Sequence, residues 1–479
     1  MTSENKTTRR SFIKKTAIAA AGFTIVPRHV LGQGLTAPSD QLNIAVIGGG
    51  GKGYSDAVNA WDNGNSRISA ICDVDWNEAK RAFDKFPNAK MYKDYRKLLD
   101  EMNDIDAITV STPDHTHAVI AHQAMQLKKH VYVQKPLTNS IHESRVLTEA
   151  AEKHNIVTQM GNQGASGAGV QQMIKWFDEG IIGNVNQVHV WTNRPVWPQG
   201  IKSPTDKPAM LDGLAWDNWV GPANWVDYHP LYHPFKWRGW WNFGTGALGD
   251  MACHLIDPPF RVLGLGYPTE VESSVGAMFS EDWSPDFLPE SCPPSSRTQL
   301  TFPASEKNPT KLKMTWTDGG LRPFHPDLIP ADHPLGDDNS ANGVIMMGEK
   351  GIMTCGTYAY KPKVYLNSGE LIEGGPETAG SAPAENGHQA SWVAACKAGY
   401  GSNEHKALTS SFDFAGPLTE SILMGNLAIR SYGLREAVGD GFEYPGRKKL
   451  LWDGPNMKIT NFDPANQFVK RKYREGWSL

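Results

Sequence analysis

The sequence predicts an α/β protein with an N-terminal doubly wound parallel sheet and a second domain that has strands of its own. Two patterns lead to this prediction. A short apolar run, Leu42–Ile47, ends in a glycine-rich loop, and strand-like segments then alternate with helix-like segments. Length favours two domains, because the chain has 479 residues and a single hydrophobic core stops growing beyond about 250 to 300 residues.

Composition excludes several classes of protein. With 40% hydrophobic and 20% charged residues, the chain has the make-up of an ordinary soluble globular protein. Its net charge of −4 argues against nucleic acid or an anionic membrane surface as a partner. The five cysteines lack CxxC spacing, so neither a zinc site nor a disulfide framework is predicted, although one bridge stays open as an alternative. The histidines lack zinc-type spacing as well, and no metal site is predicted.

Residues 1–37 are predicted to be a twin-arginine export signal. Arg9 and Arg10 precede Phe12 and Lys14, and a short apolar stretch follows at 17–26. That stretch is far shorter than the roughly 20 residues of a membrane span. We therefore expect a periplasmic or otherwise exported protein without a membrane span in its mature form. An uncleaved N-terminal anchor and a disordered basic tail are the alternatives.

The first predicted strand and its glycine loop indicate a dinucleotide site. Leu42–Ile47 is typical of a buried parallel strand, and Gly48, Gly50 and Gly53 then fit the pattern G-x-G-x-x-G before a helix-compatible segment. The next predicted strand, RISAICDVD, carries Asp73 about 20 residues after the last of these glycines. A carboxylate there accepts both ribose hydroxyls and repels a 2′-phosphate, so the spacing predicts NAD rather than NADP.

The alternation of strands and helices continues after this motif. AKMYKDYRKLLDE is predicted to be a turn and a helix, IDAITVSTP a strand, HAVIAHQAMQLKK a helix and HVYVQKP a further strand. In a doubly wound sheet the ligand lies at the carboxyl ends of the strands. Two loops fall there, Thr112–His117 and Gln134–Pro136, and Thr112 and Pro113 are therefore predicted to bind the cofactor.

An acid and a base lie four residues apart in GTGALGDMACHLID. On a helix, Asp250 and His254 would share one face, separated by about 6 Å along the axis. Their neighbours are small or apolar, so the face is predicted to be partly buried, where a polar group needs a partner. The two residues are interpreted either as a catalytic pair or as a core histidine held by an aspartate.

Taken in order, the glycine loop, STPDHTHAVIA, QKPLTNSIHESRVLTEAAEKHN and GALGDMACHLID resemble the Gfo/Idh/MocA oxidoreductases, the group of glucose-fructose oxidoreductase and inositol 2-dehydrogenase. The resemblance covers nearly all of the mature length. It implies that Lys135 contacts both nicotinamide and substrate, and that Asp250 and His254 face the reacting hydroxyl. It also implies that His117 lies beside the cofactor.

The resemblance implies a Rossmann domain over 38–160 and a substrate and oligomerisation domain over 161–479. The second domain is expected to be α+β, with an open, largely antiparallel sheet and helices on one face. YPTEVESSVGAMF, SSRTQLTFPA and KLKMTWTDGG alternate in the manner of strands, while GHQASWVAACKAG and PLTESILMGNLAIRSYGL are typical of helices. Such sheets support dimers or tetramers in relatives, and a homo-oligomer is expected.

One residue departs from the family pattern. Where the family usually has Glu-Lys-Pro, this chain has Gln134 before Lys135. The change removes a negative charge next to the lysine, and an opposite charge nearby favours the ammonium form. We therefore expect the electrostatics around Lys135 to differ from those of the family.

The chemistry of alcohol oxidation assigns roles to these residues. Hydride leaves for nicotinamide while a base removes the hydroxyl proton, so His254 is the predicted base, with Asp250 and Lys135 beside it. Tryptophan, tyrosine and histidine are concentrated between residues 185 and 243, just before the Asp250/His254 pair, which suits a carbohydrate substrate. Further substrate-binding candidates are Gln163, Arg194, Trp237, Arg238 and His388.

Three functions follow from this pattern. The leading prediction is an exported dehydrogenase that transfers hydride from a ring hydroxyl of a sugar or glycoside to tightly bound NAD. The alternative is an NAD-dependent glycosidase or lyase, which oxidises a ring carbon transiently so that the glycosidic substituent is eliminated. A redox-silent sugar-binding protein is the third, and the presence of Lys135, Asp250 and His254 disfavours it.

Overall fold

The computed structural model describes residues 40–375 and 385–479. The export signal predicted at residues 1–37 lies outside the described residues and stays a prediction. Two large sheets organise the described chain, one of six strands and one of ten, and a two-stranded hairpin accompanies them. The six-stranded sheet comes first in sequence and positions the site.

The six-stranded sheet is parallel throughout, with the order β3-β2-β1-β4-β5-β6. Its strands are β1 Leu42–Ile47, β2 Ser66–Cys72, β3 Lys90–Tyr92, β4 Ala107–Val110, β5 His130–Val133 and β6 Thr158–Met160. Strand β1 is central and almost fully buried, as its apolar run predicts. The strand order reverses at β1, so the crevice between β1 and β4 is where a doubly wound sheet binds its ligand.

Helices connect these strands and cover both faces of the sheet. They are α1 Lys52–Trp61, α2 Lys80–Lys85, α3 Tyr95–Glu101, α4 Asp114–Gln126 and α5 Ile141–His154. A capping box fixes the start of α5, since the Ser140 and Glu143 side chains each accept the other's backbone N–H. The structure differs from the predicted elements in two details. Helix α4 begins at Asp114, inside the expected loop, and the short strand β3 precedes α3.

The ten-stranded sheet is mixed and mostly antiparallel. Its order is β14-β13-β12-β11-β7-β10-β9-β8-β17-β18, and β7 and β10 form its parallel pair. The strands are β7 Val185–Trp191, β8 Glu270–Val275, β9 Ser296–Phe302, β10 Leu312–Thr317, β11 Gly343–Gly348, β12 Gly351–Cys355, β13 Lys363–Leu366, β14 Leu371–Glu373, β17 Leu450–Asp453 and β18 Lys458–Ile459. The hairpin consists of β15 Glu436–Val438 and β16 Gly441–Glu443. The predicted fold class is confirmed: a parallel Rossmann sheet followed by a largely antiparallel one.

Seven further helices accompany the second sheet in the described ranges. They are α6 Ala168–Asp178, α7 Trp216–Val220, α8 Gly246–Leu255, α9 Asp257–Val262, α10 Glu385–Ala398, α11 Asn403–Lys406 and α12 Phe412–Tyr432. Helix α12 is 21 residues long and buried along most of its length. Helix α10 returns to the first sheet, where Trp392 and Val393 share a hydrophobic cluster with Ile44 and Val46 of β1.

Residues 214–243, which we call the aromatic segment, close over the carboxyl edge of the parallel sheet. The segment contributes an aromatic cluster that includes Trp219 and Phe243. At its start, the Ala215 N–H donates to the Val74 carbonyl (2.9 Å), just beyond β2. At its end, the Phe243 carbonyl accepts from the His115 N–H (3.2 Å) in the first turn of α4. The segment therefore spans the edge where a dinucleotide would lie.

Two general features complete the fold. All five cysteines fall within the described ranges, and each is buried and free, so the structure contains no disulfide among them. Within residues 40–375 and 385–479, none of the helices combines the length and the apolar character that a bilayer crossing requires.

Candidate active site

A cavity of about 650 Å³ lies between the carboxyl ends of the parallel strands, helix α8 and the aromatic segment. One wall comes from the strand ends: the glycine loop, Asp73, Thr112 and Lys135. The facing wall comes from α8, which supplies Asp250 and His254, and from the aromatic segment. We call these the cofactor wall and the substrate wall. A concave cavity of this size, in which a few polar groups converge among apolar and aromatic side chains, has the usual character of a ligand site.

The glycine loop leaves its backbone open at the start of α1. Gly48 has φ +84°, a conformation that favours glycine, and a Cβ there would lie 2.7 Å from the Ser111 carbonyl oxygen. A Cβ on Gly53 would overlap the Gly48 carbonyl oxygen. Gly48 and Gly50 line the cavity, whereas Gly53 acts from behind by allowing α1 to pack closely on the loop.

Asp73 ties this loop to the end of β2. Its Oδ2 accepts the N–H groups of Gly49 (2.8 Å) and Gly50 (3.1 Å), and its Oδ1 accepts the Asp75 N–H (2.9 Å). Burial raises the pKa of Asp73, although these three bonds oppose the rise. The carboxylate also lines the cavity, so it combines a structural contact with a position suited to ribose. Open glycine backbone, a helix N-terminus and this acid together fit a dinucleotide.

The loop after β4 contributes two predicted residues to the cavity and keeps a third behind it. Thr112 and Pro113 line the cavity. His117 is buried in α4 outside the lining, where its Nδ1 lies 2.9 Å from the Pro136 carbonyl and its Nε2 lies 2.8 Å from the Thr112 carbonyl. Burial lowers the pKa of His117. The structure therefore places His117 as a brace between two cofactor-side loops.

Lys135 joins the two walls. Its Nζ, at the end of β5, donates to the backbone oxygen of Asp250 (2.8 Å) and to the Asp250 carboxylate (2.7 Å). The Arg238 guanidinium lies 3.3 Å from the same carboxylate, and it also lies 3.4 Å from the carboxylate of Asp114. Burial opposes ionisation of Asp250, but Lys135 and Arg238 outweigh it and hold the pKa of that carboxyl well below its usual range.

His254 faces the cavity from the next turn of α8. The residue is 5% exposed, and its ring packs edge-on against Tyr358 with ring centres 4.7 Å apart. Nδ1 is buried without a hydrogen-bond partner, which leaves Nε2 as the nitrogen able to meet a ligand. Burial, reinforced by the Lys135 charge, lowers the pKa of His254 well below 6.5, so the ring is neutral near pH 7. Asp250 bonds to Lys135, and the tautomer of His254 is thus not set by an Asp250 hydrogen bond.

The predicted substrate residues divide into two groups. Gln163, Arg194, Trp237 and Arg238 line the cavity. His388 does not: it is fully buried in α10, with Nδ1 2.7 Å from the Ser166 hydroxyl and Nε2 2.9 Å from the Met160 carbonyl. Both ring nitrogens are therefore engaged, and none is left for a substrate.

Several lining residues were absent from the sequence prediction. Tyr358 comes from a short 3₁₀ turn after β12, and Trp477 comes from the C-terminal tail. His233 lines the cavity while its Nε2 lies 2.8 Å from Asp75, both side chains being buried. Lys52, at the start of α1, also lines the cavity. This residue could have been predicted from the sequence, because it follows the glycine run directly.

The curated relatives carry names of different activities. Over 232 residues the chain is 27% identical to a levoglucosan dehydrogenase of Pseudarthrobacter phenanthrenivorans, covering 47% of this chain and 51% of the relative. Over 205 residues it is 27% identical to a glycosyl hydrolase family 109 protein of Shewanella baltica, covering 37% of this chain and 44% of the relative. The chain thus spans about half the length of the curated relatives it matches.

Solved structures share the fold over most of the chain. Levoglucosan dehydrogenase in complex with NADH and levoglucosan superposes with a TM-score of 0.53 and 18% identity, covering 81% of this chain and 97% of that one. Aldose-aldose oxidoreductase from Caulobacter crescentus, complexed with glycerol, gives a TM-score of 0.54 and 16% identity, covering 81% and 98%. At these identities the likeness establishes the fold.

Two models of a single family match consecutive parts of the chain. Residues 42–162 match its NAD-binding Rossmann fold, and residues 167–280 match its C-terminal alpha/beta domain. The first match carries the glycine loop, Asp73 and Lys135, and the second carries Asp250 and His254. Both matched ranges contribute residues to the cavity, and the chain belongs to the Gfo/Idh/MocA family of oxidoreductases with an NAD-binding Rossmann domain.

Proposed function

We propose that this protein is a dehydrogenase that oxidises a ring hydroxyl of a sugar or glycoside, with NAD as the hydride acceptor. The observation that carries the proposal is the meeting of Lys135, Asp250 and His254 at the carboxyl end of β5, between the two walls. A cation and a neutral imidazole facing one cavity are what alcohol oxidation requires. The levoglucosan dehydrogenase relative adds support for a carbohydrate substrate.

Lys135 polarises the reacting oxygen. An ammonium group has three N–H donors, and two are directed at Asp250, so the third is free to donate to a substrate hydroxyl. The donor stabilises negative charge as it develops on that oxygen. Asp250 holds the ammonium in position from the other side, and Arg238 in turn contacts the Asp250 carboxylate.

His254 accepts the hydroxyl proton at Nε2. The ring is neutral, which is the form a base needs, but its lowered pKa makes it a weak base. A weak base is sufficient when Lys135 acidifies the hydroxyl at the same moment. Proton acceptance at Nε2 requires the neutral ring to carry its own proton on Nδ1, the buried nitrogen. Asp250 then stabilises the imidazolium through space, since its charge favours the protonated ring.

Bound NAD⁺ supplies the hydride acceptor. Gly48, Gly50 and the start of α1 would hold its pyrophosphate, and Asp73 would accept the ribose hydroxyls. The hydroxyl proton goes to His254 and the hydride leaves from the carbon that bears the hydroxyl, so a ketosugar is the product. Arg194, Trp237 and Gln163 would contact the remainder of the sugar from the cavity wall.

We further propose that the cofactor stays bound through many turnovers. An exported enzyme meets little free NAD, so each oxidation has to be balanced by a reduction on the same bound dinucleotide. The aromatic segment supports retention because it bridges Val74 and His115 across the ligand edge. Arg474 of the C-terminal tail secures the segment through the Pro222 carbonyl (3.0 Å) and the Asp217 carboxylate (2.6 Å).

Retention is tested by gel filtration of the purified protein, denaturation and ultraviolet analysis of the supernatant. We expect NAD to be released without prior addition. Release of no dinucleotide, together with activity that requires stoichiometric added NAD, would refute retention and would also weaken the proposal that residues 1–37 direct export.

The second candidate function is NAD-dependent glycoside cleavage, favoured by the glycosyl hydrolase family 109 relative. Oxidation at a ring carbon acidifies the neighbouring C–H, which allows the glycosidic substituent to leave and the hydride to return. Mass spectrometry after incubation with a panel of glycosides separates the two functions. Loss of two hydrogens with an intact glycosidic bond indicates the dehydrogenase, and a released aglycone indicates cleavage.

We also propose that the protein assembles into a homodimer or homotetramer, and light scattering of the purified protein measures its oligomeric state.

A further inference from the structure

A second buried carboxylate lies on the other side of the loop that carries Lys135. Asp56 is in α1, one turn after Lys52, and is 0% exposed. It lies outside the cavity lining, behind Ser111 and Gln134, which both line the cavity. A buried carboxylate is costly unless its oxygens accept hydrogen bonds, so its partners indicate its role.

Asp56 accepts hydrogen bonds from three separate elements. Its Oδ2 accepts from the Ser111 hydroxyl at the end of β4 (2.8 Å) and from Gln134 Nε2 at the end of β5 (2.8 Å). Its Oδ1 accepts from Gln389 Nε2 in α10 (3.0 Å), and Lys52 Nζ lies 3.5 Å from the same oxygen. One side chain thus connects α1, two neighbouring strand ends and the helix that returns from the second half of the chain.

This arrangement explains why residue 134 is a glutamine here. A glutamate at that position would bring a second carboxylate into contact with Asp56, and two like charges at such a distance are strongly unfavourable. The Gln134 amide is held from the other side as well, because a Cβ on Gly161 would lie 2.5 Å from its Nε2. The side chain therefore packs between Gly161 and Asp56, with its amide nitrogen directed at Asp56.

We propose that Asp56 is a positioning residue for Lys135, an inference that rests on the proposed dehydrogenase function. Gln134 directly precedes Lys135, so an amide fixed on Asp56 fixes the backbone from which the lysine side chain leaves β5. That direction brings Nζ across the cavity to Asp250 at 2.7 Å. Misplacement of a catalytic group by about 1 Å lowers the rate about a hundredfold. A gain in rate of that size is a functional reason to keep a buried carboxylate at this position.

The test reverses the polarity of the Asp56–Gln134 bond. In D56N the amide nitrogen of residue 56 would face either Gln134 Nε2 or Gln389 Nε2, donor against donor, so one of these two bonds is lost. In D56N/Q134E the same nitrogen donates to the new carboxylate and to the Ser111 oxygen, while the other oxygen still serves Gln389. The double variant therefore restores the hydrogen bonds of the network and keeps the net charge of the pair, so a rescue shows that residues 56 and 134 act as one unit.

We expect D56N to lower kcat for sugar oxidation by about tenfold to a hundredfold, with a much smaller change in substrate KM and unchanged NAD content. D56N/Q134E should return kcat to within about threefold of the parent. The matched control is D318N: Asp318 is also buried and accepts from Ser296 and Trp316, but it lies outside the cavity lining, so D318N should leave kcat unchanged.

A second measurement does not depend on turnover. Lysine acetylation by an N-hydroxysuccinimide ester, followed by peptide mass spectrometry, reports how firmly Lys135 is held on Asp250. D56N should label Lys135 several-fold faster than the parent, and the double variant should label at the parental rate. A parent without dehydrogenase activity would refute the proposed function, while the labelling pattern would still decide on Asp56.

The proposal is overturned if D56N retains parental kcat and parental Lys135 labelling, or if D318N lowers kcat as much as D56N does. The proposal stays testable even if D56N fails to fold. In that case D56N/Q134E should fold and turn over, because its hydrogen bonds are complete, and an insoluble or inactive double variant counts against the proposal.

Discussion

The two walls of the cavity are built by different means. The cofactor wall is largely backbone: glycines without side chains, a helix N-terminus, and Asp73 bonded to the N–H groups of Gly49 and Gly50. The substrate wall is made of side chains that pair with one another, with Asp250 between Lys135 and Arg238. Dinucleotide recognition is therefore local in sequence, whereas substrate chemistry depends on contacts between distant parts of the chain.

Electrostatics differ between the walls in the same way. The charge of Asp73 is compensated by backbone N–H groups, which cannot be lost by substitution of another residue. The charge of Asp250 is compensated by two side-chain cations, each of which also faces the cavity. Changes on the cofactor wall should thus alter dinucleotide affinity, and changes on the substrate wall should alter turnover or substrate affinity.

Lys135 is the strongest test of this division, because it starts on the cofactor wall and ends on Asp250. We expect Lys135→Ala to lower kcat at least about a hundredfold, since the proposed donor to the reacting oxygen is lost. NAD content should be unchanged, and the remaining Arg238 contact at 3.3 Å keeps Asp250 compensated. Steady-state kinetics and the dinucleotide content of the purified variant measure both. Near-normal turnover would remove Lys135 from the mechanism.

His254 should give a similar loss and a distinctive pH profile. His254→Ala is expected to lower kcat about a hundredfold or more through loss of the proposed base. The control is His142→Ala, which changes a half-buried histidine outside the cavity lining and should leave kcat unchanged. Because the pKa of His254 is lowered below 6.5, its neutral form persists as the pH falls through that value. The kcat/KM of the parent should stay level past pH 6.5 and fall only at lower pH. An acidic limb at 6.5 or above would contradict a buried, neutral base.

The same difference between the walls decides what sequence could predict. Gly48, Gly53 and Asp73 were accessible because their spacing along the chain encodes their geometry directly. The spacing of Asp250 and His254 singled out that pair, but the role of Lys135 came from the family resemblance, and its 2.7 Å contact with Asp250 joins residues 115 positions apart. No periodicity indicates which side chain will meet which across two domains.

Misplaced and missed residues have physical reasons. His388 was predicted from the sequence to bind substrate, but α10 folds back onto β1 and buries the histidine against Met160 and Ser166. Tyr358 and Trp477 reach the cavity from a turn and from the tail, two places without a sequence signature. Gln134 was recognised as unusual, yet its partner Asp56 became visible only once α1 had been packed against the end of β5.

Asp73 tests the cofactor wall with a moderate expected effect. Asp73→Asn keeps an oxygen that can accept from Gly49 and Gly50, so the loop should persist, but the charge proposed to meet the ribose is lost. A charge-assisted hydrogen bond contributes about 1.5 to 3 kcal/mol, so NAD affinity should fall about tenfold to a hundredfold and the preference over NADP should narrow. Titration of dinucleotide-free protein with both cofactors measures this, and kcat at saturation should change little. A parent that binds NADP as tightly as NAD would refute the role.

Phe235 gives the smallest expected effect and marks the outer limit of the substrate wall. Its ring is 52% exposed at the cavity and packs edge-on against Trp197, with centres 6.1 Å apart. An exposed aromatic face of this kind suits the apolar face of a second sugar or an aglycone, and a contact worth about 0.5 to 1.5 kcal/mol corresponds to about twofold to tenfold. Phe235→Ala should therefore raise the KM for a glycoside by that factor, leave kcat and NAD content unchanged, and have little effect on a free monosaccharide, which ends before the rim. Phe324→Ala is the matched control, since Phe324 is 98% exposed and lies outside the cavity lining. A glycoside KM that stays at the parental value in Phe235→Ala would mean that the substrate ends inside the cavity, and the substrate wall would then stop at Trp237.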